Sequence, residues 1–320
     1  MNKNKPVISE IKLATLSVEN LERSITFYGD VFKYIKSGTG SIEGKEFEKA
    51  WRMPEGLKGR CAIMGVKGIN SGMLRLVQFD KPGERIWADY SSKEIIGHYA
   101  VNFGVNDLNA FWPRLIEAGA VEKAPPKFWE VNDNLSVWDS QAFDLDGILL
   151  DIFQIVPEGK DMLGLDEHVP EISEVQTVSV HVSDALRTKA FYQRLGFNEP
   201  LYETMVENLE RFFEVPAGTK LHNINLMNPA FSRNGRVEIV QYIGFKSMKL
   251  LRERSVPPNI GILSISFETN DIVATCKLVK DLGGQEISEP VQVVLPKLGK
   301  VKLATFFGPD GEALEFYQAV

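Results

Sequence analysis

Residues 17–28 read SVENLERSITFY, and this stretch decides how the chain around it folds. Residues 13–18, which overlap its start, place Ala14, Leu16 and Val18 on one apolar face, as in a half-buried strand. Asn20 then stands where an N-cap belongs, because its side chain can accept the free backbone N–H groups of a first helical turn. The stretch predicts a strand, a short turn and a helix over Leu21–Val31.

The same strand, cap and helix pattern occurs four times. Predicted strands at 13–18, 101–105, 178–182 and 265–269 precede the candidate N-caps Asn20, Asp107, Asp184 and Asp271. The predicted helices are Leu21–Val31, Leu108–Ala118, Ala185–Arg194 and Ile272–Leu282. About three strands follow each helix, and the last ones are Leu74–Phe79, Leu149–Phe153, Val237–Tyr242 and Ala313–Tyr317. The chain therefore reads as four βαβββ modules.

The four modules arise from a duplication. Phe27 and Tyr28 recur as Phe191 and Tyr192, 164 positions later, and Asp146-Gly147 recurs as Asp310-Gly311 at the same offset. A constant offset over separate landmarks is the signature of an internal repeat. The repeated unit is about 160 residues long and contains two modules.

Composition narrows the class of partner. The 320 residues are 44% hydrophobic and 25% charged, which is typical of a folded globular protein. The net charge is −7 without a Lys/Arg cluster, so nucleic acid and anionic membranes are not expected as partners. A small-molecule substrate or ligand is expected, with the chain acting as a monomer or homodimer.

The cysteines and the apolar runs predict a cytoplasmic location. Cys61 and Cys276 have neither disulfide-framework nor metal-type spacing. No apolar run approaches the ~20 residues that span a bilayer, and the first residues lack the apolar core of a secretory signal.

Two segments carry a family resemblance: residues 17–28 and the closing motif FGPDGEALE at 307–315. With the fourfold module pattern, they resemble the vicinal oxygen chelate superfamily, which includes glyoxalase I, extradiol dioxygenases, methylmalonyl-CoA epimerase and bleomycin-resistance proteins. The resemblance implies an α+β fold in which four βαβββ modules pair into two cupped mixed β-sheets, as tandem domains.

The expected domains follow from the repeat. The first domain spans 8–156, with modules at 8–80 and 95–155. A linker is expected at 157–174. The second domain spans 175–320, with modules at 175–243 and 260–319. The first module is assumed to pair with the second and the third with the fourth, although a swapped pairing would mix the two centres.

In this family, the first and last strands of each module point one residue each at the cup centre, commonly His or Gln and Glu, to hold a divalent metal. Counted from the landmarks, the first-strand positions here are Leu13, Ala100, Thr177 and Ser264. The last-strand positions are Arg75, Asp151, Glu238 and Glu315. None of the first-strand positions is a histidine, so the sequence departs from the metal-binding pattern of the family.

The two halves of the sequence predict different sets of residues at the cup centre. In the first half Arg75 would repel a metal and pair with Asp151. In the second half Thr177 and Ser264 would accompany Glu238 and Glu315, whose converging carboxylates could share a proton and act as general acid and base. Two alternatives stay open: each Glu is simply hydrogen-bonded, or the pair holds Mg²⁺ or Ca²⁺. No other cofactor is expected.

Aromatic and histidine side chains are further candidates. His181 lies on the inward strand face, near the cup mouth, as a candidate catalytic or ligand-contacting group. His98 faces the same cup as Ala100 and could approach Asp151 or merely cap its strand. Trp129 and Trp138 lie on predicted cup strands, where inward rings would form apolar walls for an aromatic ligand.

Two functions are consistent with these residues. The first is an enzyme acting by acid–base chemistry, as a lyase, isomerase, epimerase or hydrolase, on a small aromatic or carbonyl-bearing molecule, with Glu238, Glu315 and His181 as catalytic residues. The alternative is a metal-free protein that sequesters small molecules, as bleomycin-resistance proteins do. Extradiol dioxygenase chemistry is less favoured, because that iron site needs two His and one Glu and only Glu315 matches.

Overall fold

The computed structural model describes residues 5–87, 95–133, 135–156, 171–207, 209, 215–231, 234–245 and 248–320. These ranges contain five helices and seventeen strands. No helix in them is long and apolar enough to cross a membrane. The predicted linker lies outside the described residues as far as position 170, and its last residues, from Ile172 on, belong to a strand.

The elements form four successive modules. Module 1 contains β1 (Ile8–Ser17), α1 (Leu21–Phe32), β2 (Ile35–Ile42), α2 (Lys45–Trp51), β3 (Gly59–Gly65) and β4 (Met73–Phe79). Module 2 contains β5 (Ile95–Val105), α3 (Leu108–Glu117), β6 (Val121–Asn132), β7 (Leu135–Phe143) and β8 (Leu149–Ile155). Module 3 contains β9 (Ile172–His181), α4 (Ala185–Leu195), β10 (Glu199–Val206), β11 (Lys220–Met227) and β12 (Arg236–Ile243), followed by the two-residue strand β13 (Lys249–Leu250). Module 4 contains β14 (Gly261–Thr269), α5 (Ile272–Asp281), β15 (Gln285–Leu295), β16 (Gly299–Phe307) and β17 (Ala313–Ala319).

The predicted βαβββ repeat is confirmed, and its helices begin where the caps predicted. Asn20, Asp107, Asp184 and Asp271 each accept the backbone N–H three residues on, at 3.0 Å. The helix ends differ from prediction by one residue, because they depend on the turn that follows. Helix α2 is an addition that the repeat did not predict.

The modules pair crosswise, so the assumed pairing of first with second and third with fourth is wrong. One eight-stranded sheet has the order β15-β16-β17-β14-β1-β4-β3-β2 and combines modules 1 and 4. One nine-stranded sheet has the order β10-β11-β12-β9-β5-β8-β7-β6 and combines modules 2 and 3. The joints are the antiparallel pairs β1–β14 and β5–β9. We call the two concave faces the eight-stranded cup and the nine-stranded cup.

Polar contacts between helices and loops tie modules that are consecutive in sequence. Asp146, in the β7–β8 loop, accepts hydrogen bonds from Arg23 and Ser24 of α1, at 2.7 and 2.9 Å. In the second repeat, Asp310 accepts equivalent bonds from Arg187 and Thr188 of α4. The closing Asp-Gly motif therefore holds the preceding module's helix, while the strands pair across the repeat.

One apolar core joins the convex faces of both sheets with helices α1, α3, α4 and α5. Phe32 of α1 packs on Phe103 of β5 with ring centroids 4.6 Å apart, which links the two sheets. A second apolar cluster fills the eight-stranded cup, where Phe47 and Trp51 of α2 are buried against strands β15 and β16. Helix α2 thus plugs one cup, which leaves the other as the site of a cavity.

Candidate ligand and proton-transfer site

A cavity of about 100 Å³ opens in the nine-stranded cup, where modules 2 and 3 meet. Its centre follows from strand pairing: β8 runs parallel to β5 and sets Asp151 beside Asn102, while β12 runs parallel to β9 and sets Glu238 beside Ser179. Apolar side chains cover part of the wall: Trp129, Val131, Leu135, Val137, Phe153 and Leu201. The cavity therefore has a polar centre and an apolar wall, as ligand sites do.

Glu238 organises the polar centre. Its Oε1 accepts hydrogen bonds from Tyr202 Oη at 2.7 Å and Asn223 Nδ2 at 3.1 Å. Its Oε2 accepts bonds from Ser179 Oγ at 2.6 Å and from Asn102 Nδ2. Four donors converge on one buried carboxyl group, so Glu238 fixes the side chains around it.

Two further carboxyl groups on the cavity wall form a hydrogen-bonded pair. Asp139 of β7 bonds Asp151 of β8. Burial, the charge of Asp151 and this hydrogen bond raise the pKa of Asp139 well above its usual range. Burial also raises the pKa of Asp151, although the bond from Asp139 opposes the rise. Burial raises the pKa of both carboxyl groups, so the pair favours holding one proton between them, and a carboxylic acid beside a carboxylate suits a general acid beside a general base.

A lysine and two tyrosines form a hydrogen-bonded chain near the pair of Asp139 and Asp151. Lys123 Nζ donates to Tyr99 Oη at 3.0 Å, and Tyr99 hydrogen-bonds Tyr242. Both tyrosines line the cavity, and burial raises their pKa values well above the usual range. They therefore act as neutral hydrogen-bonding groups at physiological pH.

The eight-stranded cup has a different centre. Arg75 Nη2 lies 2.5 and 2.7 Å from the two carboxylate oxygens of Glu315, and both side chains are buried. The guanidinium also donates to Thr15 Oγ1, and it lies 4.8 Å from the ring centroid of Trp51. The free space beside this ion pair is about 20 Å³, enough for a single water molecule.

The structure divides the predicted site residues between the cups. Thr177, Asp151, Glu238 and Trp129 line the larger cavity. Arg75, Ser264 and Glu315 belong to the other sheet, where Ser264 donates to Glu315. The predicted Arg75–Asp151 pair is therefore wrong, and so is the convergence of Glu238 with Glu315, because crosswise pairing separates them.

The predicted first-strand positions lie two residues too early. The residues beside Arg75, Asp151, Glu238 and Glu315 are Thr15, Asn102, Ser179 and Ser266, instead of Leu13, Ala100, Thr177 and Ser264. The inward face was assigned correctly, because side chains two residues apart share a face. Alternation of side chains shows which residues of a strand share a face. It does not show the register of the strand against its neighbour.

His181 and His98 are buried and do not line this cavity. His181 is fully buried, stacked on Tyr99 at 3.6 Å between ring centroids, and is absent from the cavity lining. Its predicted contact with ligand is therefore wrong. His98 Nε2 bonds the carbonyl oxygen of Ala313 at 3.0 Å instead of approaching Asp151, and burial lowers its pKa to about 4.

Trp138 points away from the cup, contrary to its predicted inward position. Strand pairing sets Trp138 opposite Phe128 and Trp129 opposite Val137. Cross-strand partners share a face, so the cavity receives Trp129 and Val137, while Trp138 is 43% exposed. By the same alternation Asp139 and Gln141 point inward.

Several residues that line the cavity were not predicted from the sequence. Asp139 and Gln141 alternate with Trp138 on β7, and Tyr202 and Asn223 come from the middle strands β10 and β11. The available signal was strand alternation through residues 137–141, which read VWDSQ. Only the pairing of β6 with β7 shows which parity faces the cup.

The resemblance implies a metal at the cup centre, and the residues present do not fit one. In the eight-stranded cup the guanidinium of Arg75 faces Glu315. In the nine-stranded cup the oxygens of Glu238 already accept four bonds from neutral donors. The described ranges contain no group of three or more His, Cys, Asp or Glu placed to hold a metal ion. A shared Mg²⁺ or Ca²⁺ site at Glu238 and Glu315 is wrong, because the two lie in different sheets.

Comparisons with known proteins agree with this architecture. The model of the Glyoxalase/Bleomycin resistance protein/Dioxygenase superfamily matches residues 174–316. Glyoxalase I from Zea mays superposes with a TM-score of 0.61 at 15% identity, over 98% of this chain and 93% of that chain. A proposed dioxygenase from Bacillus subtilis superposes with a TM-score of 0.57 at 12% identity, over 98% and 86%. No curated protein matches the chain by sequence.

At these identities the two superpositions show the fold alone. They cover both repeats, so the fold extends beyond the residues 174–316 that match the family model. Residues 174–316 therefore match the model of the Glyoxalase/Bleomycin resistance protein/Dioxygenase superfamily, and the whole chain shares the fold of the two superposed proteins.

Proposed function

We propose that the nine-stranded cup is the active site of an enzyme that transfers protons on a small organic molecule. The observation that carries the proposal is the hydrogen-bonded pair of Asp139 and Asp151 on the cavity wall. A carboxylic acid beside a carboxylate supplies a general acid and a general base within one site. This pair replaces the predicted pair of Glu238 and Glu315.

The chemistry is an enolisation that needs no redox partner. Asp151 removes the proton from a carbon next to a carbonyl group, and Asp139 gives its own proton to the carbonyl oxygen. The carbon–hydrogen bond breaks, an oxygen–hydrogen bond forms, and the electron pair moves into the carbon–carbon double bond of an enol. Return of a proton to either face of the same carbon, with the enol proton going back to Asp139, completes an epimerisation. In an α-hydroxycarbonyl substrate the intermediate is an enediol, and protonation of the former carbonyl carbon with loss of the proton from the neighbouring hydroxyl group completes an isomerisation.

Glu238 acts as a positioning residue in this scheme. It holds Asn102, Ser179, Tyr202 and Asn223 in fixed orientations, so the polar centre is preorganised before substrate enters. The apolar wall that includes Trp129 covers the non-reacting part of the substrate. Neither role requires a metal, and turnover without a cofactor stays a prediction.

A second candidate function is sequestration of a small molecule without turnover. It is favoured by the apolar wall, where Trp129, Val137 and Leu201 offer flat and branched surface to a ligand. In that case the carboxyl pair would serve only as a hydrogen-bonding surface. The two functions differ in whether bound ligand exchanges its carbon-bound protons.

Deuterium exchange tests the proposal directly. The full chain is incubated in D₂O with hydroxyacetone, acetoin and 2-hydroxyacetophenone, and loss of C–H signals is followed by proton NMR. We expect exchange above the buffer rate, falling roughly 100-fold or more in Asp139→Asn and Asp151→Asn, the usual size of a general acid–base effect.

The matched control is Glu312→Gln, since Glu312 is another buried carboxyl with a raised pKa but lies outside the cavity. It should exchange protons at the wild-type rate. Equal exchange in the wild type and both aspartate variants would overturn the proposal. Binding of these compounds without exchange would favour sequestration.

A further inference from the structure

The cavity wall carries hydrogen-bond acceptors that nothing in the described part of the protein satisfies. No donor reaches Asp139 Oδ1, Gln141 Oε1 or Asn223 Oδ1, and all three atoms are buried. The three residues line the same cavity, with Asp139 and Gln141 on β7 and Asn223 on β11. Buried acceptors of this kind cost free energy unless a ligand or water bonds them.

The two amides are held with their oxygens free. Gln141 Nε2 donates to Asp151 Oδ2 at 3.3 Å, and Asn223 Nδ2 donates to Glu238 Oε1 at 3.1 Å. A carboxylate only accepts, so each amide must direct its NH₂ group toward it. The carbonyl oxygens of Gln141 and Asn223 are therefore left as acceptors, and rotating either amide would break its bond to the carboxylate.

The charges of the cavity lining further restrict which hydrogen-bond donor a ligand would present. The ionisable side chains that line the cavity, apart from the tyrosines, are Asp139, Asp151, Glu238 and Arg236. Arg236 directs Nε to Asn225 Oδ1 at 2.8 Å and Nη1 to Gln176 Oε1 at 3.0 Å. Asp139 and Asp151 hold one proton between them, so the carboxyl groups exceed the guanidinium by one negative charge, which favours a cation over an anion. Among the described residues, the unsatisfied buried polar atoms of this wall are three acceptors and one donor, Trp129 Nε1. Hydroxyl groups both donate and accept, whereas an ammonium group only donates, which matches this surplus of acceptors.

We propose that the cavity binds a small primary ammonium ion whose N–H groups bond the free oxygens of Asp139, Gln141 and Asn223. Its apolar body lies on the wall formed by Trp129, Val137 and Leu201. The inference names the substrate class of the site proposed above and rests on that proposal for the assignment of the cavity as the working site.

A matched ligand series tests the inference on the full chain. Benzylamine, benzyl alcohol and benzoate share one ring and differ in charge, and their binding is measured by titration calorimetry at pH 7. We expect benzylamine to bind at least about tenfold more tightly than benzyl alcohol, a difference typical of a charge-assisted hydrogen bond, and benzoate to bind least.

Variants of two acceptor residues test whether benzylamine binds in this cavity. Gln141→Met and Asn223→Leu remove one acceptor each and should weaken benzylamine binding at least about fivefold. Thr305→Val is the control, because Thr305 occupies the position of Gln141, 164 residues later, in the other cup. It should bind benzylamine as the wild type does.

Equal or tighter binding of benzyl alcohol or benzoate, or no binding of benzylamine, would overturn the inference, and these wild-type comparisons hold even where a variant fails to fold. The outcome is separable from the proposed function. Benzylamine binding without deuterium exchange on any carbonyl compound would contradict the enzyme and keep the ammonium site. Deuterium exchange that depends on Asp139 and Asp151, without benzylamine binding, would support the enzyme and contradict the ammonium site.

Discussion

The guanidinium of Arg75 and the carboxylate of Glu315 form a buried ion pair between residues 240 positions apart, at the centre of the eight-stranded cup. The pair joins β4 of module 1 to β17 of module 4, and Trp51 of the unpredicted helix α2 covers it. One cup is thereby closed by its own side chains, while the other keeps a cavity.

Removing one partner of this pair should be costly. Arg75→Met strands the buried carboxylate of Glu315, and we expect a loss of about 3–5 kcal/mol in the free energy of unfolding. The double variant Arg75→Met with Glu315→Leu should recover most of that loss. Urea denaturation measures both. The control is Lys277→Met in the exposed pair with Asp281, which should cost about 0.5 kcal/mol or less. A loss below about 1 kcal/mol for Arg75→Met would contradict the buried pair.

Crosswise pairing predicts that neither half of the chain folds alone. A fragment of residues 1–156 contains modules 1 and 2, and each would expose the first-strand edge that pairs with β14 or β9. We expect fragments 1–156 and 171–320 to aggregate separately and to form a complex when expressed together. Gel filtration and circular dichroism measure the outcome. A stable, monomeric fragment 1–156 would contradict the crosswise sheets.

Stability should fall as the pH rises through neutrality. Burial raises the pKa of Asp144 to about 7 and that of Glu312 to about 7, above their ordinary values of 3.8 and 4.5. The folded state therefore binds more protons than the unfolded state between those values. The stabilisation is complete below pH ~4 and is lost as the pH passes ~7, with a slope of up to ~1.4 kcal/mol per pH unit for each group.

Asp144→Asn tests this dependence. Asn keeps an oxygen that can accept from the backbone N–H groups of Asp146 and Ile148 but cannot ionise. Thermal unfolding between pH 5 and 8 should show a shallower decline in Tm for the variant than for the wild type. If Tm depends on pH identically in the variant and the wild type, Asp144 does not contribute to the pH dependence of stability.

Tryptophan fluorescence should report the cavity through Trp129. Its ring lines the cavity, whereas Trp138 on the adjoining strand lies on the opposite face. Benzylamine binding should change the emission of the wild type and of Trp138→Phe, and Trp129→Phe should abolish that change. Loss of the signal in Trp138→Phe instead would place the ligand on the outer face of the hairpin.

Local sequence predicted the modules well because their signals are local. Asn20 and Asp184 mark helix starts through hydrogen bonds within one turn, and Phe27-Tyr28 and Phe191-Tyr192 repeat because α1 and α4 each pack on strands of their own module. Alternation likewise placed Thr177 and Ser179 on the inward face. These features depend on residues within one helical turn, one strand or one module.

The candidate site was less predictable because it joins residues from different modules. Asp151 was expected opposite Arg75, yet it meets Asp139 on its own sheet while Arg75 meets Glu315. Every module begins with a similar strand, so its edge could pair with any other first strand. Nothing local distinguishes those partners.

The sequence by itself determined four βαβββ modules, their capped helices and the absence of histidine at the first-strand positions, since each depends on residue type and short spacing. The tertiary structure alone decided which modules share a sheet. Through that choice it decided that Arg75 neutralises Glu315 in a filled cup, and that Asp139 and Asp151 meet beside a cavity. The reason is that edge-to-edge strand pairing and cup filling are settled by long-range packing, which a linear pattern does not encode.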